Sequence, residues 1–113
     1  MITIVDTGIA NVGSIKYKLF NHGIDSKIGT TSEEIIKSKK LILPGVGHFK
    51  EAMTKLKERD LISSLTEAVT VRKIPILGIC LGMQLFARSS TEGNCEGLGW
   101  LNAEVKKFDH SII

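Results

Sequence analysis

The chain has 113 residues, 42% of them hydrophobic, which suits one domain with a real core. Its 15 basic and 12 acidic side chains leave a formal charge of +3. They are interleaved without a dense basic block or an aromatic platform, so they read as solvated helix faces and not as a nucleic-acid surface. No apolar run reaches the roughly 18 residues of a bilayer span, and Met1 to Asp6 shows no basic and apolar regions of a secretion signal, so a cytoplasmic protein without a membrane partner is expected. The two cysteines, Cys80 and Cys95, stand outside any C-x-x-C arrangement and support neither a disulfide framework nor a zinc site; no metal and no cofactor are expected.

Ile2 to Val5 predicts a first strand, followed by a turn through Asp6-Thr-Gly-Ile-Ala-Asn-Val-Gly. Ile15, Leu19 and Phe20 then recur at helical spacing until His22-Gly23, where Gly23 suits the left-handed position after a helix. Asp25 to Ile28 predicts a second strand. Thr31-Ser-Glu-Glu34 is a capping box, so a short helix carrying Ile35 and Ile36 is expected. Lys40 to Leu43 predicts a third strand cut off by Pro44, and a glycine-bracketed loop, Pro44-Gly-Val-Gly-His-Phe49, leads into a helix with Phe49, Met53 and Leu56 on one face. The glycines around Val46 permit an inward-facing N–H, although the same composition also suits a simple tight turn. A second amphipathic helix is expected over Leu61 to Arg72, with Asp60 as its N-cap. A strand from Pro75 to Cys80, a helix from Gly82 to about Arg88, a polar surface loop from Ser89 to Gly97 and a strand over Trp100 to Lys106 complete the chain.

Alternating strands and helices predict an α/β fold: an open, mostly parallel sheet with helices on both faces, whose ligands bind beyond the carboxyl ends of the strands. Cys80 falls at such an end, between an apolar β-branched run and a helix. Gly78 and Gly82 flank it at the spacing of a nucleophile elbow, with sulfur in place of oxygen. A thiol there sits beside unpaired helix N–H groups that favour thiolate over thiol, and the N–H of Leu81 is a natural oxyanion donor. The alternative is a small buried hydrophobe at a strand end.

Gly78-Ile-Cys-Leu-Gly-Met-Gln84, together with Leu43-Pro-Gly-Val-Gly-His-Phe49 one strand earlier, resembles the class I (triad) glutamine amidotransferases. Within that family the chain is most similar to the glutaminase subunits of imidazole glycerol phosphate synthases. Asp6-Thr-Gly-Ile-Ala-Asn11 and Glu96-Gly-Leu-Gly-Trp-Leu-Asn-Ala-Glu-Val105 fit the same subunits, so the resemblance runs essentially end to end. It implies that Cys80 attacks the side-chain amide of glutamine, giving a thioester and ammonia, and that water then releases glutamate. It implies an oxyanion hole from Leu81 and the Val46–Gly47 part of the loop, substrate binding by Gly45, Gly47 and Gln84, and an ammonia-accepting cyclase or synthase subunit as partner in a heterodimer of histidine biosynthesis. Asn11 falls where the family approaches that partner, in a turn where Thr7 and Ala10 depart from the usual Tyr and Gly.

The family completes its triad with a histidine and a glutamate from a further stretch, which this sequence does not reach. Residues 1–113 are therefore read as the N-terminal part of a single amidotransferase domain, truncated at the C-terminus and inactive alone. His110-Ser111 stands too early in the order, directly after the last strand and with no glutamate two residues on, to be the base. His48 reads as a helix-start residue and His22 as a helix C-terminal one. Two alternatives stay open: a paralogous subunit feeding a sugar-amidating enzyme of surface polysaccharide, and an inactive binding or scaffold fragment.

Overall fold

Four runs, three of them rich in branched apolar residues, pair into one parallel sheet in the computed structural model, which describes residues 1–91 and 95–106. The strands are β1 (Ile2–Val5), β2 (Ser26–Gly29), β3 (Lys40–Gly45) and β4 (Ile76–Cys80), in the order β2-β1-β3-β4. Ile4 stands opposite Ile28 on one side and Ile42 on the other. The β3–β4 ladder ends with Gly45 opposite Cys80, and this register brings the two glycine motifs to adjacent strand ends.

Helix α1 (Val12–Asn21) lies on one face of the sheet, where Leu19 shares a groove with Ile2, Ile42 and Leu77. The other face carries the core: Val5, Leu41 and Leu43 pack against Ile35 of α2 (Ser32–Ile36), against Phe49, Ala52 and Leu56 of α3 (Phe49–Glu58), and against Leu65 of α4 (Ile62–Thr66). Each of these side chains is nearly or fully buried, a contribution of about 1.5–3 kcal/mol apiece for the larger ones. The expected parallel sheet with helices on both faces is therefore what forms.

Several boundaries differ from the sequence pattern, each for a local reason. Pro44 does not cut off β3, which continues to Gly45; beyond Ile42 the strand no longer pairs with β1, so a residue without an N–H is tolerated there. Phe20 is 71% exposed and does not share the packing face of Ile15 and Leu19, because α1 rests on β1 and β2 through a narrow stripe. Asp60 is not the N-cap of α4. It has φ 56 and takes the left-handed position after α3, with Leu61 N–H returning to the Leu56 carbonyl; Leu61 is the N-cap. The single helix expected over Leu61 to Arg72 divides into α4 and a π-helical turn, Glu67–Val71. Strand β4 is only half-buried and has β3 as its one partner among the described residues, with Leu77 58% exposed.

The helix after Cys80 is also shorter than expected. It is a single turn, α5 (Leu81–Gln84), because the next residues are captured by strand pairing. The end of the expected helix and the segment expected to be a loop hold β5 (Ala87–Ser90) and β6 (Cys95–Glu96), which join β7 (Leu101–Val105) in a small second sheet of order β6-β5-β7. The capping box is present as the sequence indicates: Thr31 Oγ1 accepts from Glu34 N–H, and Glu34 Oε1 accepts from Thr31 N–H. Arg59, at the end of α3, donates to the Asp6 carbonyl at 3.1 Å and ties that helix to the β1–α1 turn.

Candidate active site

Cys80 ends β4 with φ 53 and ψ −120, a backbone conformation sparsely open to a residue with a side chain. Such strain persists only where the surroundings impose it. Here they do so by close backbone approach. A Cβ at Gly82 would lie 1.9 Å from the Leu43 carbonyl oxygen, one at Gly45 would lie 2.8 Å from Gly82 N, and one at Gly78 would lie 2.6 Å from Met83 Cα. The glycines flanking Cys80 are thus required by contact with β3 and with α5 itself, which is the physical content of the spacing seen in the sequence.

The turn presents Cys80 to solvent, so the reading of a buried hydrophobe does not describe this residue. Cys95 is half-buried and its Sγ lies 3.2 Å from the Glu96 carbonyl oxygen. Because α5 is one turn long it carries no long helix dipole, and the Cys80 side chain makes no capping hydrogen bond to its first-turn amides.

A cleft of about 540 Å³ is lined by Gly45, Val46, Gly47, Cys80, Leu81 and Gln84. Every residue singled out in the two motifs for catalysis, oxyanion stabilisation or substrate binding therefore borders one cavity. Gly47 has φ 93 with open space around it, and Val46 is 59% exposed, so the loop projects from the end of β3 without being packed down. Gln84 is exposed at the end of α5, while Leu81 is buried beneath the turn. Cys80 is the one titratable side chain in this lining among the described residues.

His48 and His22 lie outside this lining. His48 is the N-cap of α3, its Nδ1 accepting from Lys50 N–H at 3.2 Å, as a helix-start residue should. His22 follows α1, its ring Nδ1 2.9 Å from the Lys18 carbonyl oxygen. His110 falls outside the described residues. Asn11 caps α1, its Oδ1 accepting from Ser14 N–H at 3.0 Å. No group of three or more His, Cys, Asp or Glu side chains among the described residues is arranged to hold a metal ion. No helix among them is long and apolar enough to cross a membrane.

Sequence reasoning did not single out the aromatic support behind the turn. Phe86 and Trp100 stack with ring centroids 5.1 Å apart, and Trp100 Nε1 donates to Thr66 Oγ1 at 3.2 Å. Their separation along the chain hid the contact; the only available signal was that the chain's one tryptophan follows the cysteine by twenty residues.

An open parallel α/β sheet with a cysteine on a strained strand-to-helix turn, facing a glycine loop from the neighbouring strand, defines a domain of the cysteine-elbow class. Comparison with known proteins narrows this. Residues 3–110 match the family model for class-I glutamine amidotransferases, and the chain belongs to that family. It is 52% identical over 108 residues to imidazole glycerol phosphate synthase subunit HisH of Methanococcus maripaludis, an alignment covering 96% of this chain and 54% of that protein. It is 46% identical over 113 residues to the corresponding subunit of Campylobacter jejuni, covering 99% of this chain and 56% of that one. The chain thus spans about half the length of the curated relatives it matches. A crystal structure of a glutamine amidotransferase shares the fold with a TM-score of 0.78 at 22% identity, over 93% of this chain and 55% of the other.

Proposed function

We propose that this chain is the cysteine-bearing, N-terminal part of a single glutaminase domain that supplies ammonia to the synthase, or cyclase, subunit making imidazole glycerol phosphate in histidine biosynthesis, in the cytoplasm. The observation that carries the reading is the cleft itself: an exposed Cys80 at a strained turn, facing the Gly45–Gly47 loop and Gln84 in one cavity. The names of the half-matched relatives support the pathway and the partner.

In this mechanism the Cys80 sulfur attacks the side-chain amide carbon of glutamine. A C–S bond forms, and the carbonyl oxygen takes the charge. The amides of Leu81 and of Val46 or Gly47 hold that oxyanion, the loop N–H coming from a segment that is exposed from Val46 to His48. The proton given up by the Cys80 thiol passes to the leaving nitrogen, collapse breaks the C–N bond and ammonia departs. Water then cleaves the thioester to glutamate and restores the thiol. Gln84 and the backbone of Gly45 and Gly47 orient the substrate in the cleft.

The test is covalent labelling with an electrophilic glutamine analogue followed by peptide mapping. Label is expected at Cys80 and absent from Cys95, whose sulfur lies against the Glu96 carbonyl and outside the cleft. Modification of Cys95 ahead of Cys80 would overturn the assignment.

A further inference from the structure

The strain at Cys80 needs support from both sides of the turn. On one side Gly82 meets the Leu43 carbonyl; on the other, the place a side chain would take at Gly78 is filled by Phe86, whose Cζ would lie 2.7 Å from an added Cβ. The Phe86 ring is itself backed by Trp100 at 5.1 Å between centroids, with the planes tilted by 34°. Trp100 is anchored at its far end by the hydrogen bond from Nε1 to Thr66 Oγ1, at the end of α4. Leu101, the next residue, donates its N–H to the Phe86 carbonyl at 2.9 Å and fixes the two aromatic segments relative to one another. Neither aromatic ring nor Thr66 lines the cleft, so none of them touches a ligand held there.

We propose that Trp100 is a positioning residue for the Cys80 thiol: through Phe86 it braces the base of the strand-to-helix turn and holds Cys80 at its positive φ. A residue with a side chain leaves that region when it is released, because its Cβ is crowded there. Losing the brace lets the turn relax and moves the sulfur from its place in the cleft beside Gly45, Val46, Gly47 and Gln84. This rests on the reading of Cys80 as the reacting thiol.

The test compares carbamidomethylation rates of Cys80 and Cys95 by iodoacetamide, resolved by peptide mass mapping, in the parent protein and in Trp100→Leu, Trp100→Phe and Thr66→Val. Trp100→Leu is expected to slow Cys80 about fivefold relative to Cys95, since alkylation by a free reagent follows the microenvironment of the thiol. Trp100→Phe keeps a ring on Phe86 and is expected to restore the ratio to within about twofold. If Trp100→Leu fails to unfold cooperatively, Thr66→Val decides, with an expected loss of about twofold from the freed indole. A melting temperature that falls while the Cys80 to Cys95 ratio stays level or rises would overturn the proposal and leave Trp100 a packing residue. So would a Trp100→Phe variant no better than Trp100→Leu. A parent Cys80 that reacts no faster than Cys95 would instead overturn the reading of Cys80 as nucleophile, so the two failures are distinguishable.

Discussion

Replacing Gly82 with alanine is the smallest change that attacks the site through its backbone. The new methyl would lie 1.9 Å from the Leu43 carbonyl oxygen, 2.8 Å from its carbon and 3.1 Å from the Pro44 carbonyl carbon. All three are main-chain atoms of β3, so no side chain can rotate away, and relief needs a displacement of more than an ångström of either β3 or α5. Overpacking in a dense core typically costs about 1–3 kcal/mol, and the absence of a flexible neighbour puts this substitution at or above the upper end, about 3 kcal/mol. For a domain near this size each kcal/mol lowers the melting temperature by about 4–8 °C, so a fall of more than about 10 °C is expected. Circular dichroism melts measure that shift, and alkylation mapping of the same samples shows whether Cys80 also loses its advantage over Cys95. A melt within about 2 °C of the parent, with Cys80 labelled as before, would refute the reasoning, since it would mean that β3 and the turn are not in contact.

Other outcomes follow from the packing and the caps. Leu43→Ala, at a fully buried core position, should cost about 2–5 kcal/mol in urea unfolding, whereas Leu77→Ala, 58% exposed on the opposite face, should cost less than about 1 kcal/mol. Thr31→Ala removes the side-chain half of the α2 capping box and should cost about 1 kcal/mol, a loss that Thr31→Ser largely avoids. Glu34 is held below the usual carboxylate range, first by the Thr30 N–H and then by the Thr31 hydroxyl. A carboxyl depressed in the folded state contributes stability that is present above its unfolded value and is lost as the pH falls through the lower folded one. The protection factors of the amides at the start of α2, exchange corrected for its intrinsic pH dependence, should therefore fall on acidification through and below the ordinary carboxylate range. In Glu34→Gln that local pH dependence should vanish; its persistence would assign the effect to another group.

How far the fold could be read from sequence depends on where the information lies along the chain. Strand β1, the capping box and the His48 start of α3 are set by neighbouring residues, and each stands where the pattern places it; the turn at Cys80 also stands there, its local glycine spacing reflecting contact with distant β3. The errors arise where a distant partner overrides local preference. Ala87 and Arg88 continue a helical pattern and Ser89 and Ser90 read as loop, yet pairing with Leu101–Val105 draws all four into a strand. Asp60 has the composition of an N-cap, but the Leu61 N–H returns to the Leu56 carbonyl and makes it the residue that ends α3. Pro44 reads as a terminator because the sequence does not reveal that β1 has already stopped pairing. The cleft was legible as a list of residues, while the Phe86–Trp100 support was not, since no local spacing joins Gly78, Phe86 and Trp100.

The two glycine motifs are one physical object. Gly45 closes β3 opposite Cys80 in the ladder, and any Cβ on it would press on Gly82 N; Gly82 in turn lies against the Leu43 carbonyl, at the start of the first motif. Each motif therefore supplies the space that the other requires. A glycine loop alone is compatible with any tight turn, and a cysteine between glycines alone is compatible with any crowded strand end. Their interlocking leaves the thiol exposed, faces it with backbone that is not packed down, and keeps both on strand ends fixed by the sheet. A cleft built this way holds its geometry through main-chain contact, so its sensitivity to substitution is greatest at the glycines, which carry no functional group, and lower at Val46 and Gln84, whose side chains stand free in solvent.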